Sequence, residues 1–137
     1  IMATDRAALT ARLAGDVRLL ATSRGVWLAL GGGGPAFATA LAATLAGIAQ
    51  IADQSGAYGL LELTGPRAAD VLAKGLPIDL DPAAFGEDAV AISQIARIGV
   101  VLWRIPGGFA LLTPRSSAGS FWHWLALSAS ECGLRIS

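Results

Sequence analysis

Charge is scarce in this chain. Of 137 residues, 15% are Asp, Glu, Lys or Arg, and the ten acidic groups balance the ten basic ones to a net charge of zero. Ordinary soluble domains carry roughly 25% charged residues. Nine of the basic residues are Arg and one is Lys74, and they are scattered along the chain. That pattern has neither the clustered footprint of a nucleic-acid binder nor a polybasic membrane patch. Cysteine is nearly absent: Cys132 stands alone, so no internal disulfide can form, and a reducing, cytoplasmic compartment fits. His123 is the single histidine, and one His with one Cys leaves zinc without a ligand set. A secretory signal is missing too, because the start, "IMATDRAALTARLAGDVR", is charged throughout. The uncharged stretch 25–52 is broken by Gly31 to Gly34 and Pro35. The helical part after it is shorter than the roughly 20 apolar residues a bilayer demands, so no membrane span is expected.

What is present is apolar. Hydrophobic residues make up 54%, with 17 glycines besides. The length suits one domain, residues 1–137, and small domains have much surface for their volume. With so little charge to cover it, apolar surface should remain bare, and such surface marks a partner interface.

Local patterns predict the elements. A short helix is expected over 5–14. "VRLLATSRGVWLAL" reads as two strands around a turn at Ser23-Arg24-Gly25. Pro35 suits the first position of a helix, and Phe37, Leu41, Leu45 and Ile48 recur at helical spacing. Leu60 to Leu63 form a strand. Thr64-Gly65-Pro66 should start a helix with Ala69 and Leu72 inward, ended by Gly75 in the left-handed conformation. "LPIDLDPAAFGEDA" is a loop. Strands follow over Val90 to Arg97, Gly99 to Ile105 and Phe109 to Thr113, with a turn at Pro106-Gly107-Gly108. Ser116 or Ser117 should cap a last helix with Phe121, Leu125, Ala129 and Cys132 inward, stopped by Gly133. Hairpins beside crossover helices make this α+β: a mixed, largely antiparallel sheet with helices packed on it.

Motifs that carry chemistry are thin. Gly31-x-Gly33-x-x-Ala36, with Asp53 about twenty residues on, has the form of a dinucleotide turn. Such a turn opens a series of parallel βαβ units, whereas residues 89–114 read as an antiparallel meander. The glycines are therefore expected to make a structural bend. His123 has Glu131 two helical turns away but no activated nucleophile. Cys132 occupies an apolar helical position and reads as a small core residue. Asp79, Asp81, Glu87 and Asp88 lack calcium-loop spacing and read as a solvated loop. No catalytic, cofactor-binding or metal-binding residue is expected. The tryptophans Trp27, Trp103, Trp122 and Trp124 stand out instead. Trp122 and Trp124, two residues apart, cannot share a helical face, and aromatics off the core face are favoured interface anchors. Trp103, Trp122 and Trp124 are the candidate interface residues.

Several stretches together resemble one family. Gly65-Pro66, Leu72 to Gly75, Pro77 to Leu80, Leu102-Trp103-Arg104, Pro114-Arg115-Ser116 and Trp122 to Leu125 are similar to the gamma subunit of heterotetrameric sarcosine oxidase. "SRGVWLALGGGGP" and Asp53-Gln54-Ser55 fit it more loosely, and the likeness runs from about Val17 to Gly133. The chain begins well inside the family pattern, so an N-terminally shortened form is expected. The resemblance implies a fold like the folate-binding domain of the glycine-cleavage T-protein. It implies a non-catalytic structural subunit of a bacterial complex that oxidatively demethylates sarcosine. FAD, FMN, NAD and tetrahydrofolate would be held by the partner subunits and none by this chain. The large alpha subunit would be the direct partner, with beta and delta completing the complex. The isolated chain would be expected to self-associate through its spare apolar surface. The alternative is a free-standing folate-binding domain, but the Lys-Gly-Cys-Tyr motif of the T-protein's iron–sulfur relatives is missing: Lys74-Gly75 runs into Leu76-Pro77.

Overall fold

The structure is a computed structural model and describes every residue except Thr4 and Ala14. The chain forms two compact units, Ile1–Gln54 and Ser55–Ser137. Each carries a four-stranded sheet, and every strand pairing among the described residues is antiparallel. The α+β class expected from the sequence holds, with the strands shared between two sheets.

The first unit runs β1 (Met2–Ala3), α1 (Arg6–Arg12), β2 (Arg18–Ser23), β3 (Val26–Leu30), α2 (Pro35–Thr44) and β4 (Ala49–Gln50). The strand order is β2-β3-β1-β4. Asp5 caps α1 by accepting from the Ala7 amide, which satisfies one of the helix's orphan donors. The expected helix over 5–14 is seen as Arg6–Arg12; Ala14 lies outside the described residues. The β2–β3 hairpin forms as predicted, with a bulge between Ala21 and Ser23. Pro35 stands at the start of α2 after Gly33 and Gly34, both at positive φ, which glycine alone adopts cheaply. Leu41 and Leu45 are buried with Leu9 and Trp27, and Phe37 and Ile48 pack against that cluster. Phe37 and Leu41 of the expected stripe lie on α2, which ends at Thr44, and Leu45 and Ile48 continue the same cluster from the turn beyond it.

The second unit runs β5 (Tyr58–Thr64), α3 (Ala68–Ala73), β6 (Val90–Ile95), β7 (Ile98–Ile105), β8 (Gly108–Pro114), a single 3-10 turn (Arg115–Ser117) and α4 (Ala118–Ala129). The order is β5-β8-β7-β6. Strand side chains alternate between faces. Leu63, Phe109, Leu111, Leu102 and Val100 lie in one core with Val71 and Leu72 of α3 and Phe121, Leu125 and Ala129 of α4. On the opposite face Val101, Trp103, Ala110 and Leu112 are buried as well. Burial on both faces explains why "VVLW" and "FALL" are continuous apolar runs without a polar alternation. Each fully buried Leu or Phe here contributes about 2 kcal/mol relative to exposure.

Two expectations about α3 are corrected. The helix starts at Ala68, with Arg67 rather than Thr64 at its N-cap and no side-chain cap bond. Gly65 has φ of +120° and its carbonyl accepts from the Ala68 amide, so Gly65 to Arg67 form a turn that delays the helix. Gly75 is not left-handed; among the described residues the positive-φ glycines do not include it. The end of β6 differs from expectation as well. The strand stops at Ile95, and Ala96 and Arg97 both take positive φ, 50° and 67°, in a two-residue hairpin turn ordinarily built from Asn or Gly. By contrast, the β7–β8 turn falls on Pro106 and Gly107, as the sequence indicates.

Candidate functional site

The helix α4 is positioned from both ends. The 3-10 turn leads into it, and the Ala118 amide donates to the Arg115 carbonyl. Ser117 is the N-cap as expected, but its side chain makes no cap bond; the tighter preceding turn satisfies backbone groups in its place. Phe121, Leu125 and Ala129 point into the core, and Cys132 packs against the same cluster. At the far end the Lys74 ammonium donates to the Ser128 carbonyl (2.6 Å) and to Glu131 Oε1 (2.5 Å). That contact draws the Glu131 carboxyl below its ordinary range, since a nearby cation favours the charged form.

The three candidate tryptophans separate by environment. Trp103 is 3% exposed and offers no surface to a partner, so as an interface anchor it is displaced by its own burial. Trp124 is half-buried. Its ring tilts at 38° against Phe121 with centroids 5.9 Å apart, and its indole lies over Gly75, where an added Cβ would fall 2.6 Å from Cζ2. Trp122 faces the other way and is 37% exposed, and Leu127 on the same outer half of the helix is 62% exposed. Trp122 and Leu127 are the exposed large apolar residues of α4; five positions apart, they stand about 140° from one another around the helix, with exposed His123 between them. Sequence reasoning does not single out Leu127; its place outside the Phe121–Leu125–Ala129 stripe is the signal that could have found it.

Beside this, the loop 76–89 is clasped to the sheet. Arg104 donates from Nε to the Phe85 carbonyl and from Nη2 to the Leu80 carbonyl. Its guanidinium lies 4.9 Å from the Phe109 ring centroid, so charge, fork geometry and stacking act together. The acids of this loop do structural work: Asp79 accepts from the Asp81 amide and Asp81 from the Ala83 amide, both at 2.9 Å. Among the described residues no group of three His, Cys, Asp or Glu is placed to hold a metal ion.

The remaining sequence candidates are not brought together. His123 is exposed on α4, while Glu131 is engaged by Lys74. Gly31 to Gly34 follow β3, which pairs antiparallel with β2 on one side and β1 on the other, so the parallel βαβ unit of a dinucleotide turn does not form. The cleft beside Gly31 and Gly32, about 400 Å³, is walled by Leu13, Val17, Phe37 and Leu41 and lined also by Arg12 and Asp16. A single Arg opposed by an Asp is poor support for a pyrophosphate. No helix of the described residues is long and apolar enough to cross a membrane.

The chain is similar to several known proteins. The sarcosine oxidase subunit gamma of an Arthrobacter species is 42% identical over 107 residues, covering 77% of this chain and 53% of the relative. That of Corynebacterium sp. (strain P-1) is 40% identical over 83 residues, covering 60% of this chain and 41% of the relative. The chain therefore spans about half the length of these relatives or less. A chain of the heterotetrameric sarcosine oxidase from Corynebacterium sp. U-96, solved in complex with pyrrole 2-carboxylate, superposes with a TM-score of 0.79 at 29% identity, covering 98% of this chain and 77% of that one. Residues 4–131 match the sarcosine oxidase, gamma subunit family, and the chain belongs to that family.

Proposed function

We propose that this chain is a non-catalytic structural subunit of a cytoplasmic, heterotetrameric sarcosine oxidase, acting as one gamma-subunit-like domain. The observation that carries the reading is the family match across residues 4–131. The fold is consistent with it: Trp122 and Leu127 stand exposed on α4, and Lys74, Glu131, Asp79, Asp81 and Arg104 are engaged in helix ties and loop geometry. Oxidative demethylation of sarcosine then belongs to the partner subunits, which hold FAD, FMN, NAD and tetrahydrofolate. The role of this chain is to cover and fix a surface of the large alpha subunit, with beta and delta completing the assembly. Trp122 is the anchor of that contact. Its indole offers a large rigid apolar area at little entropic cost, the property that makes tryptophan dominate interface energetics.

The test is co-expression with the cognate large subunits and affinity capture through a tag on this chain. A stable, yellow complex is expected, and Trp122→Ala should weaken it by about tenfold or more without lowering the melting temperature of the free chain. A chain that stays separate from its cognate subunits at all concentrations would refute the assignment.

A further inference from the structure

Strand β6 is the outermost strand of the second sheet and, among the described residues, is paired on one side only, with β7. Free edges expose a row of backbone donors and acceptors, and proteins ordinarily blunt them with charge, proline or a bulge. The other long edges here follow that rule. β2 starts at Arg18 and carries the bulge between Ala21 and Ser23, and β5 carries Glu62 in its middle. β6 has none of these devices. "VAISQI" holds no charge and no proline, its register with β7 is unbroken from Val90↔Trp103 to Ile95↔Ile98, and Ile92 is 56% exposed.

The turn fixes which backbone groups are free. Ala96 and Arg97 form a two-residue turn with both φ positive, so Ile95 and Ile98 close it as a hydrogen-bonded pair. Alternation along the strand then turns the N–H and C=O of Val90, Ile92 and Gln94 outward. We propose that this edge pairs with the same edge of a second copy of the chain, antiparallel, about a two-fold axis at Ile92. A two-fold perpendicular to the sheet keeps like faces together, so residues of the same face must oppose one another. With Ile92 on the axis, Ile92 meets its own counterpart and Val90 meets Gln94, and all of these are the outward-facing positions. The ends are complementary in charge as well: Arg97 of each copy falls beside the acidic end of the other, near Asp88. Self-complementarity of this kind is the requirement of an isologous dimer. An edge alone covers less than the roughly 1,200 Å² of a stable interface, so the dimer is weak and concentration-dependent. The inference concerns the free chain and stands independently of the subunit reading.

Sedimentation velocity of the 137-residue chain, from about 10 μM to about 1 mM, should show a monomer–dimer equilibrium. Ile92→Lys should weaken it at least about tenfold by setting two ammonium groups face to face across the axis. Disulfide trapping gives a second readout. In a Cys132→Ser background, oxidised Ile92→Cys should dimerise much faster than Leu60→Cys, whose parent residue is 55% exposed on the opposite edge strand. A chain monomeric throughout, a dimer indifferent to Ile92→Lys, or equal trapping at positions 60 and 92 each overturns the proposal. Should Ile92→Lys fail to fold, the trapping comparison decides.

Discussion

The indole of Trp124 occupies the space a side chain at position 75 would need: a Cβ on Gly75 would lie 2.6 Å from Cζ2 and 3.1 Å from Cε2 of Trp124, and 3.3 Å from Cγ2 of Ile95. Gly75 follows α3 and Trp124 stands on α4, so a missing side chain on one segment lets the other helix close on it. Gly75→Ala is expected to push the indole outward at a cost of about 1–3 kcal/mol. Urea denaturation measures this, and Trp124→Leu should recover part of the loss in a double-mutant cycle. Additive effects of the two substitutions would show that the contact is not the cause.

Thr113 is the buried polar residue of the second sheet. It is fully buried, and its Oγ1 has no hydrogen-bond partner among the described residues. An unsatisfied buried hydroxyl costs about 1–3 kcal/mol, and Val has nearly the same shape. Thr113→Val should therefore stabilise the chain by about 1 kcal/mol, seen as a higher urea midpoint with an unchanged slope.

Arg104 holds the loop 76–89 through two carbonyls and the Phe109 face. Arg104→Lys keeps the charge but loses the fork and the stacking. A loss of about 2 kcal/mol is expected, with faster amide exchange confined first to residues 80–86. Unchanged exchange in that loop would show that the clasp does not hold it.

The Lys74–Glu131 tie predicts a pH window. Glu131 titrates below its ordinary 4.5 because the Lys74 ammonium hydrogen-bonds and attracts the charged form. The tie's contribution is therefore complete above about 4.5 and is lost as pH falls through the lower folded value. Both groups face solvent, so the effect is small and screened by salt. The stability gap between wild type and Glu131→Gln should be present at pH 7, close in acid, and close at pH 7 in molar salt.

Elements with strong local grammar are legible in the sequence. Pro35 after four glycines announces α2, Pro106-Gly107 announces the β7–β8 turn, and the spacing of Phe121, Leu125 and Ala129 marks the inward face of α4. The failures have physical causes. Ala96-Arg97 contains no Gly or Asn, so nothing in it signals two consecutive positive φ angles; the pairing of β6 with β7 imposes them. β1 and β4 are two residues each, too short for any periodicity, and exist because Met2 meets both Val26 and Gln50. Gly75 has the look of a left-handed helix stop, and its reason for being glycine lies on α4. Of the candidate site, Trp122 is legible as a tryptophan that cannot share a face with Trp124, whereas the fate of Trp103 is not.

The amino-acid sequence by itself determined the scarcity of charge and the largely antiparallel α+β character, because composition and short-range periodicity act within a few residues. Only the tertiary structure decided that Trp103 is buried while Trp122 is 37% exposed, that Arg104 clasps a loop, and that β6 has a strand partner on one side only among the described residues. Burial and strand pairing depend on neighbours far away in the chain, and no local pattern encodes which of two equally apolar residues those neighbours will cover.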